Sequence, residues 1–305
     1  MVAAPRTTIS ISNAKQLTIR GAESVDCRQA ISSWFNQFGS MLRTSPLVSG
    51  DLQSINDLPV EIEIQSVAAR HAGLGSGTQL ALCVAAGILR FFELPIPGPD
   101  EMALSVGRGK RSAIGTYGFF QGGLLVDRGK NADEALAPLD FRADFPAHWP
   151  VLLIMLRDSQ GLSGVSETDA FKHLPRVSDR QKSEMVELVR SQIIPGIIQQ
   201  DYKLFGEGVY QFGRNSGSFF QTIQGGPYNG DEISTLVESV YQFGVPAVGQ
   251  SSWGPCVFAI TSHDEQAAKL TIELENRFGN RFEIIRTHAD NQGVRLISGS
   301  QVISR

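Results

Sequence analysis

Cysteine is scarce in this chain, three in 305 residues. Cys27, Cys83 and Cys256 lie too far apart for a CxxC zinc or redox pattern or an even disulfide framework. Each reads as a reduced residue in or near the core. Histidine is also rare, and His148, His173 and His263 have no ligand spacing, which argues against a histidine-held metal centre. His71 borders a glycine-rich segment, where it could touch a phosphate or be structural, and His288 lies near an expected turn in THADNQG. The apolar runs Ala81–Leu89 and Val151–Leu156 fall short of the ~20 residues that cross a bilayer. No signal-peptide pattern opens the chain, so a cytoplasmic protein without a membrane partner is expected. A formal charge of −4 supplies no general attraction for nucleic acid, so any anion has to be captured locally. Repeats and low-complexity tracts are absent.

What is present suits two domains of ordinary size. The boundary is expected near Ala143, inside the proline-containing, aperiodic stretch Pro138–Pro150, giving domains 1–143 and 144–305. Arg6–Ile11 reads as a strand and Cys27–Leu42 as a helix; Val60–Gln65 alternates apolar and polar, the pattern of a half-buried strand. Leu80, Val84, Ile88 and Phe92 recur every fourth residue beside Ala81, Ala85 and Leu89, one apolar helix stripe, which Pro95, Pro97 and Pro99 end. Leu124–Val126 follows Gly122-Gly123 as a short strand. In the second half Val151–Leu156 reads as a buried strand, Asp158–Gly164 as a turn, and Ser178–Gln200 as one long helical pattern containing Pro195. Ile233–Phe243 and Asp264–Phe278 read as helices, and Val257–Ile260 and Arg281–Arg286 as extended. Helices returning to an antiparallel sheet imply an α+β protein.

Residues 71–80 read HAGLGSGTQL, with a strand before and a helix after. Such a turn offers free backbone N–H groups and the positive end of a helix dipole, the arrangement that holds phosphate. Gly73, Gly75 and Gly77 let the anion approach, while Ser76 and Thr78 add hydroxyl donors and can cap the helix. A tight turn with no ligand explains the glycines equally well when they are taken alone. The loop is not a Walker A sequence, having no Gly-Lys-Ser/Thr, and it lacks the last glycine of the Rossmann spacing. A basic, glycine-containing stretch, Gly107–Arg111, places Arg108, Lys110 and Arg111 within four residues, with Ser112 following; a solvated basic turn is the alternative.

GLGSGTQLAL after an alternating strand resembles the phosphate-binding motif of the GHMP kinase superfamily. RHAGLGSGTQLALCVAAGI, GRGKRSAIGTYGFFQGGLLVD, RDSQGLSGVSETDAF and GVPAVGQSSWGPCVFA, in that order, together resemble the β-ribofuranosylaminobenzene 5′-phosphate synthase family of tetrahydromethanopterin biosynthesis. The resemblance implies a GHMP kinase-like fold: an N-terminal domain like the second domain of ribosomal protein S5, then a ferredoxin-like domain. Family members usually carry a further first strand and first motif, so the 1–143 domain is expected to lack them. Many GHMP kinases also place an aspartate seven or eight residues before a Gly-Gly pair. Here Gly115 and Ile114 stand in those places before Gly122, which weakens a kinase reading.

The implied reaction transfers the sugar of 5-phosphoribosyl 1-diphosphate to 4-aminobenzoate or a hydroxybenzoate, releasing diphosphate and carbon dioxide. The resemblance places donor phosphates on Gly73, Gly75, Ser76, Gly77, Thr78, Arg108, Lys110, Arg111 and Ser112; an arginine there could instead hold the acceptor carboxylate. Asp158 and Glu167 are the expected catalytic and magnesium-binding carboxylates, with helix capping as the alternative. Mg²⁺ is expected on the diphosphate, with no organic cofactor. Ser251, Ser252 and Trp253 are expected around the aromatic acceptor, although a core tryptophan fits as well. Phe212, Phe219, Phe220 and Tyr228 read as core, with Arg214, Asn215, Gln221 and Gln224 between them leaving an acceptor role open. A homodimer is implied. An ATP-dependent small-molecule kinase and a non-catalytic phosphometabolite-binding protein remain alternatives.

Overall fold

The structure is a computed structural model and describes residues 1–48, 52–70, 72–110, 112–131, 133–157, 177–252, 254–298 and 301–303. In the first half, β1 (Thr8–Asn13) lies antiparallel to β3 (Val60–Ser66), and β2 (Thr18–Arg20) lies parallel to β3 on its other edge. Alternation along β3 buries Val60, Ile62 and Ile64. It turns Glu61 and Glu63 to the other face, where they meet Arg20 and Ser10. Helix α1 (Ser24–Phe38) buries Cys27, Ala30, Ile31 and Trp34, one stripe at helical spacing. It stops four residues before the expected end, tightening into a 3₁₀ turn over Gly39–Thr44.

Helix α2 (Ser76–Phe91) follows the glycine loop and buries the expected stripe Leu80, Val84 and Ile88, with Phe92 just beyond its end. Pro99 does more than stop a helix, because it is the first residue of α3 (Pro99–Ser105). The missing N–H costs nothing there, since no helical partner exists for it. Then come α4 (Ile114–Gln121), β4 (Leu124–Asp127) and β5 (Leu139–Ala143), the last two an antiparallel pair. Thus part of the stretch expected to be aperiodic is a strand.

The second half forms a four-stranded antiparallel sheet from β6 (Val151–Leu156), β7 (Val248–Gln250), β8 (Cys256–Ile260) and β9 (Phe282–Thr287), in the order β7-β8-β6-β9. That strand order, with helices crossing between β6 and β7 and between β8 and β9, is the ferredoxin-like arrangement. The long pattern from Ser178 is broken in three: α5 (Asp179–Leu188), a wide turn over Val189–Ile193 and α6 (Ile194–Gln199). Pro195 lacks an N–H and its ring clashes one turn back, so the helix widens to admit it. Helix α7 (Tyr202–Ser218) comes next, followed by the short α8 (Gln221–Gln224), α9 (Gly230–Gln242) and α10 (Asp264–Phe278).

The continuous apolar run of β6 is explained by burial on both faces. Leu152 and Ile154 pack with Leu236 and Val240 of α9 and Leu270 of α10. Val151, Leu153 and Met155 face a second cluster that includes Trp149, Phe205 and Ala72, with Leu74 and Phe141 packed against it. Through Ala72 and Leu74 this second core supports the glycine loop from beneath. Across the same seam, the Asp290–Val294 segment docks on the end of α4: Gly123 N–H donates to Asp290 O at 2.7 Å and Val294 N–H to Phe119 O at 2.6 Å. No helix among the described residues is long and apolar enough to cross a membrane.

Candidate functional site

Helix α2 begins without a side-chain cap. Its N-cap is Gly75, at φ +68°, and its first turn contains no acidic residue. The expected capping by Ser76 or Thr78 does not occur: the Ser76 hydroxyl donates to Ala69 O at 3.3 Å, and Thr78 lies against Gly115 of α4. The amides of Thr78 and Gln79 turn back to Gly75 O at 3.0 and 3.1 Å. Those of Ser76 and Gly77 precede the first helical bonds and have no intrahelical acceptor. The start of α2 therefore keeps its positive end uncompensated by its own side chains.

Arg108 is brought directly to this point. A Cβ on Gly77 would stand 3.3 Å from Arg108 Nη2. The chain reaches that position because α3 ends with Gly107 in the left-handed region at φ +67°. Arg108 N–H bonds Ala103 O at 2.7 Å, and Gly107 N–H bonds Leu104 O at 3.0 Å, the paired bonds of a Schellman ending. Arg108 is exposed, and among the described residues it has no carboxylate partner. Guanidinium and helix N-terminus repel one another, and an anion between them would turn that repulsion into two attractions.

The far end of the basic segment is fastened as well. Ser112 Oγ donates to Asp127 Oδ2 at 3.3 Å, and Ala113 N–H donates to the same oxygen at 3.2 Å. Ile114 N–H bonds Ser112 Oγ at 3.3 Å, so Ser112 and Asp127 together close the start of α4. Gln79 Nε2 donates to Gly115 O at 2.8 Å and ties the first turns of α2 and α4 side by side. Lys110 is exposed within this arch. Arg111 and His71 lie outside the described residues.

The motif GVPAVGQSSWGPCVFA folds onto the loop. Ser251 Oγ donates to Gly73 O at 2.8 Å. A Cβ on Gly73, at φ +83°, would lie 1.9 Å from Ser251 O, and one on Gly254 would lie 2.1 Å from Ala72 C. Both positions require glycine because two backbones touch there. Ser252 adopts φ +57°. Ser251 is thus bonded to the glycine loop itself, Ser252 shapes the turn, and Trp253 lies outside the described residues. So do Asp158 and Glu167. Among the described residues, no group of three or more His, Cys, Asp or Glu could hold a metal ion. The described groups at the loop are amides, hydroxyls and a guanidinium, a donor set that fits an anion and not a cation.

Of the aromatics expected in the core only Tyr228 is buried; Phe212, Phe219 and Phe220 are half-buried, and Arg214, Asn215 and Gln221 are exposed. Tyr228 is buried beside Tyr210, Phe212 packs partly buried from α7, and Arg214 stands 5.6 Å from the Tyr210 ring centroid. Gln224 Nε2 donates to Gly217 O at 3.0 Å. The cysteines are free thiols, pushed up to about 12 by burial, which keeps them unreactive near neutral pH. Gln79, Asp127 and Gln250 (described below) were not singled out from sequence. Asp127 closes the motif GRGKRSAIGTYGFFQGGLLVD and Gln250 sits inside GVPAVGQSSWGPCVFA, so membership in those motifs was the available signal.

Comparison with known proteins agrees with this geometry. The family description "GHMP kinases N terminal domain" matches residues 45–123, and "GHMP kinases C terminal" matches residues 193–280. The chain belongs to the GHMP kinase superfamily. The protein named beta-ribofuranosylphenol 5′-phosphate synthase of Methanothermobacter thermautotrophicus is 28% identical over 254 residues, covering 79% of this chain and 75% of the relative. Its namesake in Archaeoglobus fulgidus is 29% identical over 251 residues, 77% of this chain and 76% of that one. Among solved structures, homoserine kinase from Cytophaga hutchinsonii superposes with a TM-score of 0.63 at 16% identity, covering 96% of this chain and 89% of that chain. A mevalonate kinase of L. major gives 0.65 at 13%, covering 94% and 86%. At those identities the superpositions show the shared GHMP fold.

Proposed function

We propose that this GHMP-family protein is a synthase that transfers the 5-phosphoribosyl group of 5-phosphoribosyl 1-diphosphate to a 4-substituted benzoate, with loss of diphosphate and carbon dioxide. The observation that carries the reading is the open start of α2 with Arg108 held over Gly77, in a chain similar along more than three quarters of its length to proteins of that name. Loop amides and Arg108 hold the diphosphate and stabilise its negative charge as the bond to the sugar carbon breaks. The sugar carbon becomes electron-poor, and the ring carbon bearing the carboxylate attacks it. The carbon–carbon bond forms, and the bond to the carboxylate then breaks and returns its electron pair to the ring. No ring proton has to leave, so the chemistry requires no strong base. Closing the site against water protects the donor from hydrolysis.

The relatives' printed name specifies a phenol, whereas the family resemblance in the motifs suggested an aminobenzene. Hydroxyl and amino groups both push electrons toward the attacked carbon, and we take 4-hydroxybenzoate and 4-aminobenzoate as the two acceptors to test. Magnesium enters the proposal with the donor, as the counter-ion of its diphosphate. We further propose a cytoplasmic homodimer acting in tetrahydromethanopterin biosynthesis.

The test is incubation with 5-phosphoribosyl 1-diphosphate, magnesium and either acceptor labelled in its carboxyl carbon. Protein-dependent release of labelled carbon dioxide and diphosphate in equal amounts is expected for one acceptor. Release from neither overturns the synthase. An arm with ATP in place of the donor tests the kinase alternative, which the absence of an acidic residue from the first turn of α4 disfavours.

A further inference from the structure

Gln250, the last residue of β7, uses both ends of its side-chain amide. Its Oε1 accepts the Asn229 N–H at 2.7 Å, and its Nε2 donates to Ser252 O at 2.8 Å. The partners dictate which way the amide points, since an N–H needs the oxygen and a carbonyl needs the NH₂. One side chain therefore ties the start of α9 to the turn that rests on the phosphate loop. Within that turn Ser252 holds φ +57°, a region that a residue with a Cβ enters at a cost. Its neighbour Ser251 is bonded by N–H to Cys256 O at 2.8 Å and by Oγ to Gly73 O at 2.8 Å.

We propose that Gln250 is a positioning residue for the phosphate loop: its amide clamps Ser252 in the left-handed conformation and so keeps Ser251 on Gly73. The chemistry follows from this sequence of contacts. Without the clamp, Ser252 relaxes toward negative φ, the Ser251 carbonyl and hydroxyl turn away from Gly73, and the loop loses the wall that fixes its amides on an anion. Gln250 itself touches no substrate in this scheme. The inference uses the proposed function only in taking a diphosphate as the loop's ligand; the clamp itself is a statement about the loop.

Two readouts separate those parts: hydrogen exchange of the backbone over residues 72–79 in the free protein, and titration of the full chain with inorganic diphosphate. Gln250→Met, which keeps the length of the side chain and removes both bonds, is expected to speed exchange in that segment. It should weaken diphosphate about tenfold, the scale of one or two lost hydrogen bonds. Adding Ser252→Gly gives the turn a residue that adopts positive φ unaided, and the double variant is expected to return to within about threefold of the parent. A purely packing role for Gln250 would not be rescued by a glycine two residues away. If Gln250→Met does not fold, Gln250→Glu keeps the acceptor for Asn229 and loses only the donor to Ser252, with the same expectation. Unchanged exchange and affinity in the folded single variant, or no rescue by Ser252→Gly, overturns the clamp. Failure of the parent chain to bind diphosphate counts against the proposed function, and the exchange arm then decides the clamp alone.

Discussion

Helices α2 and α10 are nearly equal in length and begin in opposite ways. Helix α10 starts with His263 Nδ1 accepting Gln266 N–H at 3.2 Å and has Asp264 and Glu265 in its first turn. Helix α5 follows the same rule with a Ser178–Gln181 capping box, and α7 with Asp201 accepting Leu204 N–H at 3.0 Å. Helix α2 has a glycine cap and no first-turn acid, and the Arg108 guanidinium stands over it. The contrast separates helix starts compensated by their own side chains from one left open, where the proposed function puts its anion. It also turns the phosphate-loop assignment into a set of measurable differences between ends of the same protein.

The largest effect should come from Gly73→Ala. Its Cβ would lie 1.9 Å from Ser251 O at a residue with φ +83°, so the two backbones must separate. A loss of about 3–4 kcal/mol in unfolding free energy is expected, together with loss of diphosphate binding, read by denaturant titration and calorimetry. An alanine variant that binds like the parent would remove the reason for treating this start of α2 as special.

Next is Arg108. It is exposed, so Arg108→Ala should change stability by no more than about 0.5 kcal/mol. Binding of the donor should weaken roughly 10- to 100-fold, the range for a charge-assisted hydrogen bond. Arg108→Lys should recover only part of this, because one ammonium cannot replace a two-pronged donor. Gly77→Ala sharpens the point, since its Cβ at 3.3 Å from Nη2 displaces the guanidinium without removing it. A loss of several-fold, smaller than that of Arg108→Ala, is expected in the same titration. Equal affinities in all four proteins would mean that the loop works through its amides alone.

Much of this layout could be read in the sequence where local pattern and tertiary role coincide. The alternation of β3, the stripe of α2, the bounds of β6 and α10 and the turn of the glycine loop before α2 all follow from periodicity and turn chemistry. Helix α7 was illegible because it carries Gly206, Gly208, Gly213 and Gly217, residues that weaken an isolated helix. The folded protein uses three of them for close approach: a Cβ on Gly217 would lie 1.8 Å from Pro227 O, one on Gly206 would meet Pro246 at 2.7 Å and one on Gly208 would meet Gln192 at 2.8 Å. Strand β5 is short and half-polar, and its identity comes from pairing with β4. In the candidate site, the glycines and Arg108 that come together were legible, but the side chains that hold them were not. Gln79, Asp127 and Gln250 act on partners 36, 14 and 21 residues away, separations at which no local pattern speaks.

The smallest effect tests the other side of the comparison. Ser178 Oγ accepts Gln181 N–H at 3.3 Å, while Gln181 Oε1 accepts Ser178 N–H at 3.0 Å, and α5 buries none of its residues. Ser178→Ala should therefore cost only about 1 kcal/mol, the usual worth of an N-cap, and much of that as fraying of α5 rather than global unfolding, because little packing is coupled to this end. Diphosphate affinity should be unchanged. Hydrogen exchange over residues 179–184 reports the fraying, with exchange over 72–79 as the internal control. If loss of this cap also loosened the glycine loop, the two kinds of helix start would be parts of one cooperative unit. If only α5 frays, the open start of α2 is a local feature, held by Gly75, Arg108 and the Ser251 contact rather than by the helical framework at large.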